Sequence, residues 1–359
     1  MKLALKLARK GLGKTSPNPM VGAIIVKDNQ IIGQSYHRRY GGNHAEINAF
    51  QSVRESLTGA TLYVTLEPCC YHGKTPPCVE TIIQNSIGKV VIGTLDPNPR
   101  VNGRSVAILN QYGIETKVGV LEAECRDLNE AHFKYMTTGL PLVTLKFAQT
   151  LDGRIATATG DSKWISSDKF RRLAHQLRAT NDAVMVGIDT VLADNPQLTV
   201  RLVKGRNPTR VILDSKLRIP LEAEVVGSQE VAPTIIATTA RANEKKLARL
   251  RQAGIEVLLI QEDESGEVDL RHLLSLLRER GISSVLVEGG AGVITSLLRH
   301  HLADKVILAI APKIMGKGIE AIGELNIKEV SQALKLSFDK IYRVGEDLVI
   351  EARIISPSS

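Results

Sequence analysis

At 359 residues the chain is longer than one hydrophobic core usually organises, so two domains are expected. Hydrophobic content of 43% with mixed charges describes a soluble globular protein, and no apolar run reaches the ~18 residues of a membrane helix. A net charge of +8 and a pI near 9.3 suit anionic ligands such as phosphorylated metabolites but do not by themselves imply nucleic acid.

The opening "MKLALKLARKGLGK" has no acid before Asp28, as in an organelle transit peptide, and lacks a secretory apolar core. Leu3 and Leu7, like Ala4 and Ala8, stand four apart, so it reads as the first helix of the fold. "VGAIIV" turns through "KDNQ" to "IIGQSY", predicting a hairpin. "AEINAFQSVRES" reads as helix, "TLYVTLE" as strand, "VETIIQNS" as helix and "KVVIGTL" as strand. The order continues through "SVAILNQYG" and "IETKVG" to a charged helix ending near Tyr135. Such alternation predicts a sheet covered by helices. "TTGLP" places a boundary near residue 140, giving domains 1–140 and 141–359. Beyond it, "LVTLKFAQTLDGRIA", "DAVMVG", "TRVILDS", "TIIATT", "IEVLLI" and "SSVLVEGG" are extended and mostly followed by helical stretches. "KVILAIAP" and "EDLVIEARII" finish a second α/β sheet.

Three of the four cysteines lie in "YVTLEPCCYHGKTPPC". A chain of this length with no signal peptide is expected in a reducing cytoplasm, where clustered cysteines bind metal or act in catalysis more often than they bridge. Upstream stands "HAE", His44 and Glu46. One imidazole and two thiolates hold Zn²⁺ with a fourth position left for water, whose pKa the metal lowers to around 7. A nearby Glu that is not a ligand can relay the proton to a departing amine, the pattern H-x-E…P-C-x-x-C of nucleobase deaminases. Here the second cysteine stands nine residues after the first, Cys69 to Cys78, with an inserted loop between them. Cys69 follows Pro68 at the motif position and is preferred over Cys70. A structural zinc site, closed by His72, is the bland alternative. Cys125 reads as a small buried residue.

"TSPNPMVGAIIV", "HAE" and "EPCCYHGKTPPC" resemble the deaminase half of the bifunctional riboflavin-biosynthesis deaminase/reductases. The resemblance implies a cytidine-deaminase-like three-layer α/β/α domain. It implies zinc ligands His44, Cys69 and Cys78, with Glu46 as proton shuttle. It further implies a pyrimidine contact at Asn18 and residues near the substrate phosphate at His37 and Lys74. The family commonly carries His where Tyr71 stands, with His72 next to it here.

The second half has no G-x-G-x-x-G. Its "SVLVEGGAGVITSLLRH" offers a strand ending at Glu288, glycines, and a helix beginning near Val293. Such a helix start can bind phosphate or can be a tight structural turn. "VGIDTVLADNPQLTVR" is neither a strong helix nor a strong strand, and Trp164, taken alone, reads as a core residue. "LKFAQTLDGRIA", "DSKWIS", "DTVLADNPQLTVR", "LDSKLRIP" and "VEGGAGVITSLL" resemble the same family's reductase domain. That implies a dihydrofolate-reductase-like α/β fold using NADPH. Cofactor contacts would fall on Ala148, Trp164, Thr190, Asp194 and Ser215, and on Gly290, Ala291, Gly292, Val293, Ile294, Thr295 and Ser296. Substrate contacts would fall on Ser162, Arg178, Leu198, Arg201 and Glu288, with Lys146 a weaker candidate.

The expectation is a cytoplasmic two-step enzyme acting on a phosphorylated pyrimidine ribotide. It would deaminate 2,5-diamino-6-ribosylamino-4(3H)-pyrimidinone 5′-phosphate with Zn²⁺, then reduce the ribosyl group with NADPH. Family resemblance adds a homo-oligomer, while composition points to neither a nucleic-acid nor a membrane partner. The main rival is a polynucleotide deaminase with an RNA-binding C-terminal half, which needs basic, aromatic-bearing surface. Aromatics at 4% with no interleaved basic run disfavour it.

Overall fold

The computed structural model describes residues 1–73 and 76–355. The chain divides into two compact units, Met1–Leu140 and Pro141–Ser359. The first runs α1 (Lys2–Ala8), β1 (Gly22–Lys27), β2 (Gln30–Tyr36), α2 (Ala45–Phe50), β3 (Thr61–Leu66) and α3 (Cys78–Gln84). It continues with β4 (Lys89–Thr94), α4 (Arg104–Gln111), β5 (Glu115–Lys117), α5 (Glu122–Leu128) and α6 (Glu130–Thr138). The strands form one sheet in the order β2-β1-β3-β4-β5, with β1 antiparallel to both neighbours and β3, β4 and β5 parallel.

Period-2 patterning covers both faces of that sheet. Ala23 and Ile25 pack with Leu62, Val90, Ala49 and Ile82, while Ile24 between them meets Ala4 and Leu7 of α1. The expected hairpin forms because Asp28 and Asn29, at φ 47° and 59°, supply the two left-handed residues of a tight turn. Two helices differ from expectation. α2 stops at Phe50, where the Ser52 hydroxyl donates to the Ala49 carbonyl at 2.7 Å and Val53 N–H reaches only the Phe50 carbonyl. The helix near Tyr135 is two helices, broken at Asn129. Its side chain accepts from Met20 N–H at 2.7 Å and donates to the Met20 carbonyl at 2.9 Å. Cys125 is buried; a Cβ at Gly93 would lie 2.3 Å from its sulfur, so strand and helix approach closely only because Gly93 has none.

The second unit runs β6 (Leu142–Thr150), β7 (Arg154–Thr157), α7 (Asp168–Thr180), β8 (Ala183–Gly187), α8 (Ile188–Asp194) and β9 (Thr209–Leu213). Then come α9 (Glu224–Gly227), β10 (Thr234–Thr238), α10 (Glu244–Gln252), β11 (Glu256–Leu259), α11 (Leu270–Glu279) and β12 (Ser284–Glu288). α12 (Ala291–Arg299), β13 (Lys305–Ala311), β14 (Gly318–Glu320), β15 (Lys335–Val344) and β16 (Asp347–Ile355) complete it. Nine strands form one sheet, β11-β10-β9-β8-β12-β6-β13-β16-β15, parallel from β11 to β13 and antiparallel over β16 and β15. Val184, Ile212 and Ile236 pack with Val225 and Leu250. Phe170 of α7 packs with Ile307, Ala309 and Val349.

α8 is a helix where the sequence showed no clear preference, and α12 starts at Ala291, two residues before the expected Val293. β15 carries no clear strand signal in the sequence; most of its residues are exposed and pairing with β16 holds it. No helix among the described residues is long and apolar enough to cross a membrane.

Candidate active sites

In parallel segments of a sheet, ligands gather at the carboxyl ends of the strands. β3 ends into Glu67, Pro68 and Cys69, and β4 ends into Asp96 and Asn98. His44 is the N-cap of α2, Glu46 lies in its first turn, and Cys78 opens α3. His44 Nδ1 lies 3.3 Å from Cys78 Sγ and 3.4 Å from Cys69 Sγ, and all three donor atoms fall within 4.8 Å of one another. Zinc bonds of about 2.0–2.3 Å at tetrahedral angles put such donors roughly 3.5–3.8 Å apart, so the set fits Zn²⁺ with one position left over. Cys78 N–H donates to Cys69 Sγ at 3.3 Å and Val79 N–H to the Cys69 carbonyl at 3.2 Å, which closes the inserted loop back on itself.

Hydrogen bonding from Cys78 holds the Cys69 thiol well below its usual range against the opposing effect of burial, with His44 adding to the pull. The Cys78 thiol is pushed up by that same interaction and by burial. Interaction with Cys69 raises His44 to about 8. Glu46 is buried beside this cluster, and burial raises its carboxyl above the ordinary range. Cys70 turns away, its sulfur 3.5 Å from the Arg100 carbonyl. His72 is exposed and lies 3.7 Å from Glu80.

A pocket of about 290 Å³ opens over the cluster, lined by Asn18, His37, His44, Glu46, Cys69 and Tyr71 among others. His37 Nδ1 donates to the Asn43 carbonyl at 2.9 Å, which leaves Nε2 to accept from Asn18 Nδ2 at 3.3 Å. Burial lowers the His37 pKa, consistent with that neutral ring. Lys74 lies outside the described residues. Glu67, Asp96, Asn98 and His132, not among the residues expected from the sequence, also line the pocket. The Glu67 carboxylate accepts backbone N–H groups of Gly103 at 3.0 Å and Ser105 at 3.1 Å, tying the β4–α4 loop to the site. His132 Nε2 meets Asp96 Oδ1 at 3.2 Å. The signal for Asp96 and Asn98 was "DPNP" directly after a predicted strand; Glu67 and His132 lie outside it.

In the second unit one pocket, of about 490 Å³, is lined by Thr190, Ser215, Gly290, Gly292, Val293 and Ser296. Gly289 and Gly290 adopt φ of 108° and 83°, and a Cβ on Gly290 would come within 3.4 Å of the Thr190 hydroxyl. The turn thus leaves a backbone cradle at the start of α12, on a wall that carries Lys216, Arg218 and Arg299 as well as Asp189, Asp263 and Glu267, with Arg218 paired to Asp189 at 2.7 Å. Such a cradle, with cations nearby, fits the phosphates of a dinucleotide. Ala291 is absent from this wall. Ile294 and Thr295 are buried, with the Thr295 hydroxyl donating to the Ala291 carbonyl at 2.6 Å.

A further pocket of about 390 Å³ gathers Lys146, Ala148, Ser162, Trp164, Arg178, Arg201 and Glu288. β12 and β6 pair Glu288 with Lys146, and Arg178 reaches Glu288 from α7. Trp164 is 61% exposed, not a core residue, with the Arg171 guanidinium 4.0 Å from its ring centroid. Asp194 lines neither pocket and pairs with Lys163 at 3.0 Å. The Leu198 side chain is in the core; its neighbour's carbonyl, at Thr199, accepts from Arg178 at 3.0 Å. His175, unnoticed in the sequence, lines this pocket, and its Nδ1 accepts Arg201 N–H at 2.9 Å.

A soft-donor metal cluster on one α/β unit and a dinucleotide-type cradle beside a cationic pocket on another define a deaminase fused to a reductase. Residues 1–94 match the cytidine and deoxycytidylate deaminase zinc-binding region, and residues 141–350 match the RibD C-terminal domain. The riboflavin biosynthesis protein RibD of Aquifex aeolicus is 47% identical over 98% of this chain and 96% of its own length. That of Actinobacillus pleuropneumoniae is 44% identical over 99% and 95%. Among solved structures, Acinetobacter baumannii RibD superposes with a TM-score of 0.90 at 36% identity, covering 99% of this chain and 98% of the other. A Thermotoga maritima diaminohydroxyphosphoribosylaminopyrimidine deaminase/5-amino-6-(5-phosphoribosylamino)uracil reductase gives 0.86 at 44% identity, covering 99% and 97%.

The chain belongs to the RibD family of bifunctional riboflavin biosynthesis enzymes. It is an enzyme with deaminase and reductase activities, and its cofactors are Zn²⁺ and NADPH. A C-terminal half devoted to RNA binding is not favoured, since that half matches the reductase domain.

Proposed function

We propose that residues 1–140 and 141–359 catalyse two successive steps on one phosphorylated pyrimidine ribotide. The first removes the ring amino group of 2,5-diamino-6-ribosylamino-4(3H)-pyrimidinone 5′-phosphate by hydrolysis. The second reduces the ribosyl group of 5-amino-6-(5-phosphoribosylamino)uracil to ribityl. The convergence of His44, Cys69 and Cys78 beside buried Glu46 carries the reading. The activities named for the Thermotoga maritima relative support the choice of substrate.

His44, Cys69 and Cys78 would hold the zinc, which supplies an activated water when bound. Glu46 takes a proton from the attacking water and delivers it to the amine, which leaves as ammonia. Asn18, its Nδ2 committed to His37, offers its carbonyl oxygen to the pyrimidine. In the second unit, Thr190, Ser215 and the turn from Gly290 to Ser296 would hold NADPH, which supplies a hydride. Lys146, Arg178, Arg201 and Ser162 would hold the ribotide, whose open-chain imine is the group to be reduced. The enzyme works as a cytoplasmic homo-oligomer with neither nucleic acid nor membrane as partner. Incubating the diamino ribotide without NADPH should release one equivalent of ammonia, and the deaminated ribotide should oxidise NADPH. Failure of either assay removes that half of the proposal.

A further inference from the structure

A phosphorylated ligand in the deaminase pocket needs cations; Lys74, which the family resemblance sets near the phosphate, lies outside the described residues, and the described wall supplies none. It carries Glu46, Glu67 and Asp96 but no Lys or Arg. His44 is engaged with the two sulfurs, and both ring nitrogens of His37 are hydrogen-bonded inside the chain. One guanidinium does lie against the wall. Arg100 stacks on the Tyr71 ring, 4.1 Å from its centroid, and Tyr71 lines the pocket. Asn98 fixes both partners: its Nδ2 donates to the Tyr71 hydroxyl at 3.4 Å, and its Oδ1 accepts Arg100 N–H at 3.0 Å. The Arg100 carbonyl is held as well, by the Cys70 thiol at 3.5 Å. Among the described residues no carboxylate pairs with the Arg100 guanidinium, although the chain pairs many others.

We propose that Arg100, stacked on Tyr71, binds the phosphate of the deaminase substrate. A guanidinium lying on an aromatic face keeps its in-plane N–H groups free for a phosphate, and the stacking limits the rotamer freedom lost when it binds. Asn98 couples the loop after β4 to the loop after β3, so the phosphate is read at the junction of the two strand ends that build the site. The inference rests on the ribotide reading above and specifies which group of that ligand Arg100 recognises.

The test compares deamination of the ribotide with that of its dephosphorylated riboside. Wild type, Arg100→Gln, Arg100→Lys and Tyr71→Ala are each assayed on both. Arg100→Gln should raise KM for the ribotide roughly tenfold and leave kcat/KM for the riboside unchanged. Arg100→Lys should recover part of the loss, and Tyr71→Ala should shift KM for the ribotide in the same direction. Bound zinc and reductase turnover of the same samples report that the chain is folded. Unchanged ribotide KM in Arg100→Gln, or equal losses on both compounds, overturns the assignment. A wild type that deaminates neither compound overturns the ribotide reading itself, and this inference falls with it.

Discussion

Arg178 and Glu288 meet in a two-bond fork, Nε to Oε1 at 2.5 Å and Nη2 to Oε2 at 3.1 Å, with both side chains largely out of solvent. Burial alone would raise the Glu288 carboxyl, but Arg178 and then Lys146 outweigh it and hold the group at about 2. A pKa depressed on folding contributes stability that is present above the unfolded value, near 4.5, and is lost as pH falls toward 2. Glu288→Gln leaves the Arg178 charge buried without its partner, so unfolding at neutral pH should cost about 3 kcal/mol less than in wild type. Urea denaturation across pH should show that gap narrowing below the carboxylate range. A gap that stays constant with pH would show that the fork is not its source.

His175 has the opposite chemistry but the same direction of pH dependence. Burial, then the charges of Arg178 and Arg201, lower it to about 4, so the folded ring stays neutral where an unfolded one takes up a proton. Stability from this residue is therefore complete above pH ~6.5 and lost between there and 4. His175→Asn keeps an acceptor for the Arg201 N–H but does not titrate. Its denaturation midpoint should rise relative to wild type as pH drops through that window.

Glu46→Gln keeps the size of the side chain but cannot accept the proton. Deamination should fall about 10²- to 10⁴-fold with zinc content unchanged. Ammonia release, measured beside metal analysis of the same sample, separates a proton-shuttle role from a structural one. Reductase turnover should remain at the wild-type level.

Cys69→Ser and Cys78→Ser should each lose bound zinc on purification, as should His44→Ala. Cys70→Ser should retain it, because the Cys70 sulfur points to the Arg100 carbonyl and not to the cluster. Zinc lost from Cys70→Ser and kept in Cys69→Ser would reverse the assignment of the first thiolate.

Both α/β sheets were legible in the sequence because their central strands are buried and bounded by turn residues, as with Ala23–Ile25 and Val184–Val186. The candidate metal donors His44, Cys69 and Cys78 were legible as a group because each sits at an element start or end next to a local motif. His132 and Asp96 were not, since only the packing of α6 against the end of β4 makes them neighbours. His175 was hidden for a similar reason: its partner is a backbone N–H on a distant loop. β15 lacked a signal because its exposed residues break the in/out alternation, and α8, at seven residues, is too short for a helical period to repeat. Trp164 misled as a core residue because composition cannot show that a ring is stacked under an arginine at a pocket mouth.

On the proposed order of steps, one chain deaminates and then reduces the same ribotide. The most direct measurement follows NADPH absorbance after adding the diamino ribotide to wild type and to Glu46→Ala. Oxidation by wild type alone is expected, with oxidation by Glu46→Ala restored when the deaminated ribotide is supplied instead. Equal oxidation by both enzymes on the diamino ribotide would contradict the order of steps. No oxidation by wild type on either ribotide would contradict the reductase itself.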